Sequence, residues 1–378
     1  MVGLARCMQF FRYLAVCCTL VLLYSCGGGT STSSPKSPQA NTAFQNLSTV
    51  SSTEIGRDFL HAEVHGDAIY YTDVSLGLSS LNTADPERLV AKTKLIDSFH
   101  SMVNLNGYDY LYGFKMAGNV AVVQVNEACL GMCMGDRRDV WLYDMVPDRP
   151  KLLSKLGIAA DDVFAEGSLL YVIGSSGGTS TTKLFIMDIS DPTNPVTKSS
   201  SPVSAAGYLA KKGGILYLSR VRYDTGVTGV DDIQTVDVSD PAHPVTNSVP
   251  STSFNIRYAQ ISVAGNALFI FDSHGLNIFD ITGGNPQFIK TVSIPEPKSF
   301  AVNNSHLFVA AGELGVQIYD ITRPQDPIYL KSLKSRTDAL SVSVANGVGC
   351  FISDTIRRYD SVGYSTLSGY WVNLFYDK

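Results

Sequence analysis

Two cysteines and two methionines fall within six residues in Glu127-Ala-Cys129-Leu-Gly-Met132-Cys133-Met134-Gly-Asp136-Arg137-Arg138. Thiolate and thioether sulfurs together suit a soft metal such as copper(I). The same cysteines could instead close a small disulfide in an oxidising compartment, or remain free thiols. These three readings stay open. A second stretch, Arg220-Val-Arg222-Tyr223-Asp224 running to Asp231-Asp232, offers basic, aromatic and acidic groups side by side. It suits contact with a ligand or protein partner, and equally a solvated loop with internal charge pairs. Of the six histidines, no pair sits at ligand spacing on one helix, and only His100 and His274 fall in loops of interest. Cys350 lies in an apolar run and reads as a core residue rather than a nucleophile. Gly-x-Ser-x-Gly, HExxH and phosphate-loop patterns are absent. No catalytic residue is assigned and no cofactor is expected.

What positions these loops is a repeated phrase. It reads Leu184-Phe-Ile-Met-Asp188-Ile-Ser-Asp-Pro192, Ile233-Gln-Thr-Val-Asp237-Val-Ser-Asp-Pro241, Leu276-Asn-Ile-Phe-Asp280-Ile-Thr-Gly and Val316-Gln-Ile-Tyr-Asp320-Ile-Thr-Arg-Pro324. Each copy is an apolar run of strand length, an Asp and a Pro-containing turn. Both faces of the run are apolar, so each strand must be covered on both sides, which requires neighbouring copies to stack. Weaker copies end at Asn82, Asp144 and Asp360. The steps between the seven positions are 62, 44, 49, 43, 40 and 40 residues. That period predicts an all-β fold, a seven-bladed β-propeller of four-stranded antiparallel blades. The Asp residues at 144, 188, 237, 280, 320 and 360 are expected to accept backbone N–H bonds inside the following turn.

Each unit opens with a strand ending in Gly-Asp, Gly-Asn or Asn-Gly, as at Gly66-Asp67, Gly118-Asn119, Gly265-Asn266 and Asn346-Gly347. Such pairs supply the positive φ of a tight hairpin. In an antiparallel blade the first-to-second and third-to-fourth turns share one face of the ring. The long insertions fall on the other face: 95–110 with Tyr108, 126–139, 174–183 and 220–232. Binding usually resides on loops held by a rigid scaffold. The candidate face therefore comprises Tyr108, Met132, Met134, Arg137, Arg138, Arg222, Tyr223, Asp224 and His274, lopsided toward units one to four. Asp73, Asp272, Glu313 and Asp354 follow second strands near the channel mouth, where a structural role is favoured over cation binding. Unit seven is expected to supply its own fourth strand near 366–372. That leaves the segment before Asp58 inessential to the ring, or able to add a strand beside it.

The phrase Leu-Phe-Ile-Met-Asp188-Ile-Ser-Asp-Pro-Thr-Asn-Pro-Val196 resembles the LVIVD-repeat family, whose members are bacterial surface and periplasmic propellers. The resemblance runs from about Asp58 onward and is strongest in units three to six. It carries no catalytic residues with it. It implies a binding or scaffolding module rather than an enzyme. The alternative is a propeller enzyme or soft-metal-handling protein using the same face, since one fold hosts both.

Residues 1–25 read as a signal peptide: Arg6 and Arg12 precede an apolar run, Leu14 to Leu23, too short to span a bilayer comfortably. Leu23-Tyr24-Ser25-Cys26 resembles the lipobox of bacterial lipoproteins, which implies that Cys26 carries lipid; an ordinary secretory signal is the other reading. Residues 26–45, rich in Gly, Ser, Thr, Pro and Asn, form a tether, and 46–378 a single propeller domain. The resemblance implies an outer-membrane lipoprotein at the periplasmic face or cell surface, held to the membrane by its lipid. Removing Arg6 and Arg12 takes the net charge from −5 to near −7, with no basic cluster, so nucleic acid is a poor partner. An envelope or extracellular protein or polysaccharide is expected instead.

Overall fold

The computed structural model describes residues 51–376, except 57–58, 74–76, 84–89, 97–109, 127–137, 146–149, 177–180, 204–206, 220–232, 249–259, 273–274, 296, 335–336, 346–347, 355–357, 360–364 and 367–369. Seven four-stranded antiparallel sheets form the ring. Blades one to six run in chain order over residues 59–96, 110–155, 158–202, 209–248, 260–293 and 299–333. Blade seven is composite: Ala339–Ala345, Val348–Asp354, Tyr370–Tyr376 and, outermost, Ser51–Gly56 from the other end of the chain. We letter the strands a to d from the channel outward. Innermost strands of adjacent blades lie against one another, and the first strand of blade one meets that of blade seven, so the ring closes.

The closure corrects two expectations. Ile356-Arg-Arg-Tyr-Asp360 is not the third strand of unit seven. Among the described residues Arg358–Tyr359 pairs with Ser365–Thr366 alone, and Asp360 lies outside the described residues. Strand c is Tyr370–Tyr376, in register from Val348↔Tyr376 to Asp354↔Tyr370. The reason is burial. Leu374 and Phe375 are fully buried beside Cys350, Phe351 and Phe308, a place that a run containing two arginines could not fill without desolvating them. Nor does unit seven supply its own fourth strand near 366–372; the other reading, that the segment before Asp58 adds a strand, is the one observed. Ser51–Gly56 pairs antiparallel with Tyr370–Tyr376 and supplies the fourth strand that unit seven lacks.

The repeat phrase is a joint between two turns. In blades three to six the Asp accepts the N–H two residues on: Asp188 from Ser190 at 3.0 Å, Asp237 from Ser239 at 2.9 Å, Asp280 from Thr282 at 2.8 Å and Asp320 from Thr322 at 2.7 Å. The carboxyls of Asp188, Asp237 and Asp280 titrate below the usual range: Lys198, 2.8 Å from Asp188, leads there, the Ser239 amide leads at Asp237, and the Thr282 hydroxyl followed by its amide at Asp280. The intervening residue turns its amide inward to the a–b hairpin of the same blade: Ile189 to Ser168, Val238 to Gly214, Ile281 to Asn266 and Ile321 to Ser305, at 2.7 to 2.9 Å. Met145 and Thr83 do the same in blades two and one. The side chains of Ile189, Val238, Ile281 and Ile321 are all buried, each worth about 1.5–3 kcal/mol. So the Asp-Ile pair nails strand c to the hairpin and plugs the core at once. Gly66, Gly118, Gly167, Gly213 and Gly265 take positive φ in these hairpins, and Asn304 does so in blade six.

Candidate functional site

The two faces of the ring differ. All seven a–b hairpins have two-residue turns, and the c–d turns of blades one to six have six or seven residues. The opposite face carries 97–109 between blades one and two, 127–137 in blade two, 177–182 in blade three, 220–232 in blade four, 249–259 between blades four and five, and 355–369 in blade seven. Blades five and six close their b–c connections with only 273–274 and 311–315. The insertions thus span an arc from blade seven through blade one to blade four. The sequence reading missed two of them, 249–259 and 355–369, the second because it took Ile356–Asp360 as a strand.

Of the expected site residues, Tyr108, Cys129, Met132, Cys133, Met134, Arg137, Arg222, Tyr223, Asp224 and His274 lie outside the described residues, as do Cys26 and His100. Arg138 is described, and it belongs to the scaffold. Its guanidinium donates to Asp161 Oδ1 at 2.8 Å and to Ala160 O at 3.1 Å in the first strand of blade three. Asp139 completes a pedestal at the start of the strand that follows 127–137 in the chain. Its Oδ1 accepts from Val140 N at 2.7 Å and Ile158 N at 3.1 Å, and its Oδ2 from Trp141 Nε1 at 2.9 Å. Lys155 Nζ lies 3.6 Å over the Trp141 ring. The start of the strand that follows residue 137 is therefore fixed to the first strand of blade three by two successive side chains. Asp73, Asp272 and Asp354 end second strands on the loop-rich face, and Glu313 is exposed there. Among the described residues no group of three potential metal ligands converges. Asp144 and Asp320 sit at the ends of their c strands, Asp320 buried. Cys350 is fully buried in blade seven and is disulfide-bonded; every other cysteine lies outside the described residues. His243 stands exposed in its turn, Nδ1 2.8 Å from Asp240 Oδ2.

A second polar arrangement, unseen in the sequence, runs around the ring. Blade edges at the channel would leave strand amides unpaired, and side chains of the preceding blade accept them. Val64 N donates to Ser343 Oγ at 3.3 Å and Met116 N to Glu63 Oε1 at 3.4 Å. Leu209 N donates to Asp162 Oδ2 at 2.8 Å, Phe300 N to Gln260 Oε1 at 3.1 Å and Val342 N to Ser299 Oγ at 3.0 Å. Arg138 and Asp139 join blades two and three, and Lys212 bonded to Asn266 joins blades four and five. Burial raises the Glu63 pKa despite Lys115 Nζ at 3.9 Å, and its Oε2 makes no hydrogen bond. Burial also pushes Asp162 up to about 6, against the opposing pull of the Leu209 amide. Both carboxyls already hold a neighbouring strand, and they stand at different junctions. The signal that could have found them is an acid inside an apolar first strand, as in Ala62-Glu63-Val64 and Asp161-Asp162-Val163.

Comparison with known proteins agrees with this geometry. Structurally the chain is similar to a chain in the crystal structure of a mitotic checkpoint complex, with TM-score 0.55, 13% identity, and 94% of this chain and 98% of that one covered. It is also similar to a functionally unknown protein from Desulfotomaculum acetoxidans, with TM-score 0.49, 11% identity, and 74% and 89% covered. At such identities the first likeness speaks to fold alone. No curated protein matches the sequence. Residues 159–201, which are blade three from its first strand into its last, match the LVIVD repeat. The chain is thus a seven-bladed β-propeller that carries an LVIVD repeat.

Proposed function

We propose that this protein is a lipid-anchored component of a bacterial envelope, held at the outer membrane through Cys26, that binds a protein or polysaccharide through its loop-rich face. One observation carries the reading: every long insertion joins strand ends on one face of a ring whose other face has short, uniform turns. A ring clasped at each junction is a stiff platform, and variable loops on stiff platforms are where recognition concentrates. The Arg138–Asp139 pedestal supports the reading, since it fixes one stalk of the loop with two cysteines and two methionines. The lipobox resemblance and the polar tether behind it support the anchor.

The test is chemical cross-linking to envelope fractions by the 46–378 domain and by two variants with 127–137 or 220–232 replaced by short Gly-Ser linkers. The expected result is unchanged thermal stability in both variants and loss of specific cross-links in at least one. Identical cross-links in all three proteins would overturn the binding face. Retention of Cys26→Ala in the membrane fraction would overturn the anchor.

A further inference from the structure

We infer that the propeller stands with its uniform face toward the bilayer, so that the loop-rich face is presented away from the membrane to a macromolecule approaching from outside it. The inference rests on the lipid anchor proposed above, and its new content is the direction in which the ring is held.

The argument begins with strand polarity. Strand c of blade seven starts at Tyr370, where the chain returns from the 355–369 insertion on the loop-rich face, and runs toward the uniform face. The N-terminal strand pairs with it antiparallel, Gly56 opposite Tyr370 and Ser51 opposite Leu374. Gly56 is therefore at the loop-rich face, and it leads into blade one there. Ser51 is at the uniform face. Whatever precedes Ser51 joins the ring from that side, at its outer edge.

Tether length makes this a bias that matters. Twenty-four residues separate Cys26 from Ser51. A Gly- and Ser-rich chain of that length has a root-mean-square span of about 25–30 Å. A six-residue strand is about 20 Å long, which sets the scale of the ring's thickness. To lay the loop-rich face on the bilayer, the tether would have to run back along the whole edge of the ring, spending most of its ordinary reach. With the uniform face down it need not do so.

The surface on the uniform side fits proximity without insertion. Leu152, Val196, Val245, Phe288, Ile328 and Tyr329 are exposed, and each stands at the first or second position of an outermost strand, just past a c–d turn. They come from five different blades, one apiece except for the neighbouring Ile328 and Tyr329. Between them the turns carry Asp191, Asp240 and Asp326, ionised more readily than usual through their hydrogen bonds. Asp326 is paired with Lys290 at 2.7 Å and Asp188 with Lys198 at 2.8 Å, so this face mixes both signs and offers no one-signed patch to a headgroup layer; the tether rather than adhesion sets the orientation.

The experiment uses the full-length lipidated protein in vesicles of phosphatidylethanolamine and phosphatidylglycerol that contain a headgroup energy-transfer acceptor. An azide-bearing amino acid takes a donor dye at Asn194, exposed on a c–d turn, or at Glu313, exposed on the loop-rich face. Several-fold more efficient transfer from position 194 is expected. Equal transfer, or more from 313, in protein that floats with the vesicles would overturn the orientation and leave the anchor standing. Protein that does not float with the vesicles would overturn the anchor, and the orientation with it.

Discussion

Asp162 offers the sharpest test of how the ring is clasped. Its carboxylate accepts the Leu209 amide across the blade three–four junction at 2.8 Å, yet burial raises its pKa from 3.8 to about 6. Folding therefore favours the protonated acid. The favourable contribution is fully present below pH 3.8 and is lost as pH rises through about 6, so at neutral pH the ionised group is a cost. At 1.36 kcal/mol per unit, the cost is about 1–3 kcal/mol, the upper end being the full shift. Asp162→Asn keeps an oxygen for Leu209 N–H and removes the charge. We predict that this variant is more stable than the parent by about 1–3 kcal/mol at pH 8, and that the difference closes by about pH 4. Asp162→Ala instead strands the amide and should lose about 1–3 kcal/mol at pH 4, where no charge is removed. Urea unfolding between pH 4 and 8 reads both. An Asn variant less stable at pH 8, or a gap that does not change with pH, would mean that the charged clasp is favourable and the burial argument wrong.

Other consequences are simpler. Asp139→Ala should cost about 2–4 kcal/mol, since it unpairs Val140 N, Ile158 N and Trp141 Nε1 together, and should change Trp141 fluorescence; an unchanged urea midpoint would remove the pedestal. A chain beginning at residue 58 should unfold at lower temperature than one beginning at 46, because it exposes the edge of Tyr370–Tyr376; equal midpoints would show that Ser51–Gly56 does not close the ring. Gly349→Ala would place a Cβ 2.1 Å from the Phe375 ring and should cost about 1–3 kcal/mol, measured by the same unfolding assay.

What could be read from the sequence was what is decided locally. An Asp that bonds two residues on, a Gly at positive φ and an apolar run of fixed length leave marks within a dozen residues, so blades three to six were legible from end to end. Blade seven was not, because pairing there is settled by distant partners. Ile356-Arg-Arg-Tyr-Asp360 matches the phrase, but strand c of blade seven requires buried apolar groups on both of its faces, which the consecutive Leu374 and Phe375 provide. The closing strand, Ser-Ser-Thr-Glu-Ile-Gly, has no apolar alternation to betray it, since its register is held by backbone pairing to strand c. The junction clasps were hidden for a related reason. A Ser, Gln, Asp or Glu in a first strand looks like ordinary polar alternation until the next blade's amide is seen opposite it. The same acceptor job is done by a neutral Ser at two junctions and a neutral Gln at a third, so the geometry does not require a charge. At Glu63 and Asp162 it is done by groups that burial pushes toward protonation. Those two junctions are thus where acidification should tighten the ring rather than loosen it, the reverse of what the exposed turn aspartates would give.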